Sequence, residues 1–144
     1  MIDVRPAGVQ EAYRFRLAEL VPDQPMILRQ DNLSIVIVKR SAATVDRLGQ
    51  STIGLQDPAS KRSNQPDFAA NPLRSRYPDL FVSYALGTHL GCGLKIMNTG
   101  FGEVCSNATY DFAGRALSGD SQFQYLVVPE YTFSDDFTIL TIWP

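Results

Sequence analysis

Residues 87–111, GTHLGCGLKIMNTGFGEVCSNATYD, contain both cysteines of the chain, Cys92 and Cys105, and its single histidine, His89. Thiolate and imidazole are the side chains that bind soft and borderline metals, and they also pair as nucleophile and base. A catalytic pair of His89 with Cys92 or Cys105 lacks an evident orienting partner, and no G-x-S-x-G elbow is present. His89, Cys92 and Cys105 could form a mononuclear metal site, but three ligands in an unfamiliar order are a weak signal. The cysteine spacing is not C-x-x-C, which argues against a thioredoxin-like or zinc-ribbon reading. The plain alternative is a turn histidine bonded to nearby backbone. The residues alone leave these readings open.

The elements that must position this stretch read as short strands with little helix. YRFRL alternates apolar and basic residues, PMILR and LSIVIVKR follow around a turn at RQDN, and LFVSYAL leads directly into the quoted segment. QYLVVP, YTF and FTILTIW come after it, the last two joined by SDD as a hairpin turn. SAATVDRLGQ is the one plausible helix, with Ser41 as N-cap and Gly49 as its stop. Residues 54–79 carry four prolines and few periodic apolar residues, which predicts a long ordered loop. The pattern is all-β, a sandwich or barrel with a Gly-rich excursion between strands.

Composition sets the bounds. A chain of 144 residues, 44% hydrophobic and 19% charged, fits one globular domain able to bury its own core. The net charge of −2 gives no reason to expect nucleic acid or an anionic membrane as partner. The strongest apolar run, Ile35 to Val38, is strand-sized and far short of a membrane span. No signal peptide is visible after Met1. Asn32-Leu33-Ser34 and Asn107-Ala108-Thr109 match the glycosylation acceptor pattern, which recurs by chance.

GTHLGC followed by EVCSNATYD resembles the two cluster loops of Rieske iron-sulfur proteins, whose usual pattern is C-T-H-L-G-C and then C-P-C-H-G-S before a Y-D pair. The run from Leu55 to Cys92 is similar to the approach to the first loop in proteobacterial Rieske subunits of the cytochrome bc1 complex. YDFAGRAL and LVVPEYTFSDDFTILTI are similar to that family's C-terminal strands. The likeness covers the chain from about Asp3. It implies a Rieske-like antiparallel β-sandwich as a single domain, with a base at about 3–85 and 125–144 and a small cluster-binding-type subdomain at about 86–124.

A Rieske [2Fe-2S] centre takes two thiolates on one iron and two imidazoles on the other. By resemblance the thiolate positions fall on Gly87 and Glu103, and the imidazole positions on His89 and Ser106. Only His89 retains its ligand type. The family's two further cysteines form a disulfide bracing the loops, and they fall on Cys92 and Cys105. The Pro-rich loop that shields the cluster matches residues 119–123, GDSQF, which contain no proline. A serine that bonds a cluster sulfide falls on Ala108, while Tyr110 matches a tyrosine that bonds a ligand sulfur. Leu90 matches the docking tip and could equally cap a small core.

The resemblance therefore points to a degenerate site with no [2Fe-2S] cluster and no metal expected, and to a non-catalytic binding or structural module. The implied partner is a cytochrome bc1-type complex or another membrane protein complex. The alternative is an electron-transfer subunit with unorthodox cluster or mononuclear metal ligation through His89, Glu103 and Ser106. The plain readings of these three are loop hydrogen bonding, a solvated surface charge and a turn hydroxyl. The family context places the domain on the periplasmic face of the inner membrane if a helix anchors it, and a disulfide favours an oxidising compartment.

Overall fold

The computed structural model describes residues 12–30, 33–117 and 124–143. The N-terminal start, the end of the RQDN turn with Asn32 of the first acceptor pattern, and the 119–123 run lie outside the described residues.

Alternation in YRFR builds β1 (Tyr13–Arg16), which buries Phe15 and turns Arg14 and Arg16 outward. Its partner is β9 (Ile139–Trp143), which also pairs with β8 (Glu130–Phe133), both antiparallel. The register sets Phe15 opposite Leu140 and Tyr131 opposite Ile142, so one face of this sheet carries buried apolar side chains. A second sheet is formed by β2 (Met26–Gln30), β3 (Leu33–Lys39) and β4 (Leu80–Tyr84). Its central strand buries Ile35, Val36, Ile37 and Val38 in succession, so both of its faces are covered. β5 (Leu94–Ile96), β6 (Gly100–Glu103) and β7 (Thr109–Asp111) make a third antiparallel sheet inside the Gly-rich excursion. The described residues are thus mostly β, with three small antiparallel sheets and α1 (Ala42–Gln50).

Two local expectations need correction. Gly49 does not stop α1: it takes ordinary helical geometry, and the helix ends one residue later with Ser51 donating its N–H to the Arg47 carbonyl. Ser41 does cap the N-terminus, accepting from the Thr44 N–H at 3.2 Å while donating its hydroxyl to Asp23 at 2.7 Å. QYLVVP forms no strand. Its backbone bonds go to three different places, with Leu126 N–H donating to Gly114, Val128 N–H donating to Asn64, and the Val127 carbonyl accepting from Tyr84. The segment is buried from Tyr125 to Leu126 and again at Val128, but it has no single neighbour with which to build a ladder.

The long 54–79 loop is held by buried guanidinium groups. Arg74 donates to the carbonyls of Leu126 at 2.7 Å and of Ala113 and Gly114 at 3.2 Å, and to the Ser60 hydroxyl at 2.9 Å. Arg40 reaches the carbonyls of Leu73, Pro78 and Phe112, and Arg115 pairs with Asp111 at 2.7 Å. Burial lowers the Arg40 and Arg74 pKa to about 10, which leaves both charged at neutral pH. These contacts tie the loop to the chain just beyond the third sheet, and so to the elements that carry the tip.

Candidate functional site

Two loops form the tip. The first is closed at its base by the Gly87 N–H donating to the Cys92 carbonyl at 2.8 Å and the Leu94 N–H donating to Ala85 at 3.2 Å. Gly91, at φ 79°, takes the left-handed turn that glycine adopts without strain. The second loop joins β6 to β7, with the Glu103 N–H donating to Ala108 at 2.9 Å and the Ser106 N–H to Glu103 at 3.3 Å. Val104 N–H donates across to Gly93 at 3.0 Å, and a Cys92–Cys105 disulfide with Cα atoms 6.0 Å apart ties the loops together. The described residues contain no cysteine outside this pair.

Glu103 lies between the loops and exposes no surface to solvent. Its carboxylate accepts from the Leu90 N–H at 3.0 Å, the Cys92 N–H at 3.1 Å and the Ser106 hydroxyl at 2.5 Å. Burial alone would raise its pKa. The bonds from Ser106 and from the N–H groups of Leu90, Cys92 and Gly91 outweigh that and hold the carboxyl below the ordinary glutamate value. The expected solvated surface charge is therefore a buried, hydrogen-bonded anion. No side-chain pattern announces it, because most of its donors are backbone N–H groups of the preceding loop.

Gly87 faces the same carboxylate. A Cβ built there would fall 2.5 Å from Glu103 Cγ and closer still to Cδ and Oε2. A side chain at 87 and the present position of Glu103 exclude one another.

Among the other positions singled out from sequence, Ser106 joins Glu103 and also accepts from the Ala108 N–H at 3.2 Å. Ala108 is buried. His89 is exposed at the tip and does not join Cys92, Glu103 and Cys105, whose candidate ligand atoms lie within 4.8 Å of one another. Leu90 is 61% exposed and so caps no core. Tyr110 is buried, and its hydroxyl accepts from the Thr88 N–H at 2.9 Å. Because the Thr88 hydroxyl donates to the Gln124 carbonyl, the Tyr110 proton goes to Thr88 Oγ1 at 2.9 Å. That hydroxyl is committed to Thr88 and not to any sulfur.

No family model matches the chain. It is 27% identical over 136 residues to the ubiquinol-cytochrome c reductase iron-sulfur subunit of Allochromatium vinosum, covering 86% of this chain and 66% of that protein. It is 29% identical over 130 residues to the mitochondrial cytochrome b-c1 complex subunit Rieske of Candida albicans, covering 87% and 55%. The Rhodospirillum rubrum ubiquinol-cytochrome c reductase iron-sulfur subunit is 37% identical over 92 residues, covering 58% and 48%. The chain therefore spans between about half and about two thirds of the curated relatives it matches. Among solved structures, a chain of a hyperthermophilic respiratory Complex III aligns with a TM-score of 0.56 at 13% identity, covering 88% of this chain and 71% of that one, which is a likeness of fold.

Proposed function

This chain is a relative of the Rieske iron-sulfur subunits of bc1 complexes, and from that premise we propose that it is a Rieske-like domain without a [2Fe-2S] cluster, acting as a non-catalytic binding or structural module. Glu103 carries the reading. Its carboxylate lies where the two loops converge and consumes the Leu90 and Cys92 N–H groups and the Ser106 hydroxyl. The donor set does not fit the cluster. Gly87 offers no ligand atom and has no room for one beside Glu103. Glu103 and Ser106 are hard oxygen donors already bonded to each other, and iron bridged by sulfide favours thiolate. Of the four positions only His89 supplies the expected donor type.

Without a redox centre the domain transfers no electron, and its role falls to its surfaces. We assign it to a bc1-type complex or a related membrane assembly, contacted through the tip that exposes His89 and Leu90. The periplasmic face of the inner membrane is the corresponding location if a membrane helix carries it. In this reading the degenerate subdomain spans about 86–124, on a base of about 3–85 and 125–144.

Iron and acid-labile sulfide analysis of protein made in an iron-replete host tests the reading. The expected product is colourless, with neither element in stoichiometric amount. One cluster's worth of both would overturn it. The reverse experiment replaces the donors together, Gly87→Cys, Glu103→Cys and Ser106→His. This removes the carboxylate that occupies the space, and the triple variant is expected to take up iron and sulfide where Gly87→Cys alone does not.

A further inference from the structure

We propose that reduction of the Cys92–Cys105 disulfide converts the tip into a soft-metal site in which two thiolates and the Glu103 carboxylate bind one Zn2+ ion. The proposal rests on the reading that no cluster occupies the tip. Candidate ligand atoms of Cys92, Glu103 and Cys105 already lie within 4.8 Å of one another. A tetrahedral zinc with sulfur near 2.3 Å and carboxylate oxygen near 2.1 Å needs ligand atoms about 3.5–3.8 Å apart. The Cα atoms of the two cysteines are 6.0 Å apart, so rotation about the side-chain bonds can separate the sulfurs without moving the loops. The carboxylate is already oriented by Ser106 and by the N–H groups of Leu90, which reaches both oxygens, and Cys92; a zinc ion on one oxygen displaces a donor there while the remaining bonds hold the group in place. Three protein ligands leave a fourth position for water.

The disulfide is accessible, since Cys105 is exposed and Cys92 half-buried. A dithiol reductant passes two electrons and two protons to the disulfide and leaves as its own disulfide, giving two protein thiols. Zn2+ then replaces the two thiol protons, which pass to solvent. In the oxidised protein the sulfurs are bonded to each other and no thiolate exists, so metal affinity follows the redox state of the surroundings.

The test uses whole protein reduced with dithiothreitol, desalted without air and titrated with Zn2+ against a chromophoric chelator. Co2+ then reports sulfur ligation through its charge-transfer absorption. Reduced protein is expected to bind one Zn2+ per chain and oxidised protein none. Glu103→Gln, which keeps the shape of the side chain but loses its charge, is expected to weaken reduced-state binding by about ten-fold or more. Reduced protein that takes up no Zn2+ overturns the proposal. So does Glu103→Gln binding as tightly as the parent, which would mark two thiols on a melted loop. Iron and sulfide are assayed in the same samples before reduction. A cluster found there defeats the underlying reading, whereas cluster-free protein that ignores Zn2+ defeats the zinc site alone.

Discussion

At the scale of residues, the tip is governed by one pair, Gly87 and Glu103. The carboxylate cannot swing aside cheaply, because it would abandon Leu90, Cys92 and Ser106 together. Gly87→Ala is therefore expected to destabilise the protein by about 1–3 kcal/mol, the usual range for overfilling a packed site. In a Glu103→Ala background the obstructing Cγ, Cδ and Oε2 are gone, and the same change is expected to cost close to nothing. Equilibrium denaturation of the two singles and the double measures this coupling, and strict additivity would show that the two positions do not compete for space.

At the scale of elements, the same logic of one carboxylate organising a turn recurs in the long loop. Asp57 accepts from the Lys61 N–H at 3.0 Å, the Arg62 N–H at 2.9 Å and the Ser63 hydroxyl at 2.6 Å. Burial raises its pKa, but these bonds and the Arg62 charge win, so the folded value lies below the unfolded one. Its contribution is present above an unfolded pKa of about 3.9 and is lost as pH falls through the lower folded value. Protection of the Lys61 and Arg62 amides, taken relative to the intrinsic exchange rate at each pH, is expected to fall across that acid window, and Asp57→Asn should flatten the dependence. The strands with their own alternation or apolar runs, β1 to β4, β8 and β9, are legible in the sequence, as is the Ser41 cap. The short strands β5 to β7 are not, because three or four residues around glycines carry too little periodicity. QYLVVP misleads because an apolar run records burial and does not say whether a ladder partner exists. At the site, resemblance points to Cys92, Cys105 and the missing ligands. The burial of Glu103 depends on N–H groups that every residue except proline possesses, so it leaves no mark in residue types.

At the scale of the whole molecule, stability is shared between the two larger sheets and the buried arginines. Arg74→Leu would strand the Leu126 and Ala113 carbonyls, leave Gly114 only its bond from the Leu126 N–H, and uncouple the long loop from the chain beyond the third sheet. The expected loss is about 3 kcal/mol or more, a fall in Tm of roughly 6–12 °C, readable by calorimetry. Reduction of the disulfide should act differently. Such a crosslink typically contributes about 3 kcal/mol through the unfolded chain, yet the buried strands β3 and β4 lie outside its loop. Hydrogen exchange is expected to rise at residues 86–117 while amides of β3 and β4 stay protected; uniform deprotection would contradict this.

The mutual exclusion of a side chain at Gly87 and the present Glu103 also has a historical consequence. A descendant with cysteine at 87 and glutamate still at 103 is overfilled, while one that gives up the glutamate first leaves several backbone amides converging on a hole. Each single change at this pair passes through a less stable protein. The two positions therefore act as a ratchet in sequence space: a change at either one alone is opposed by stability, so the pair drifts only when both change together.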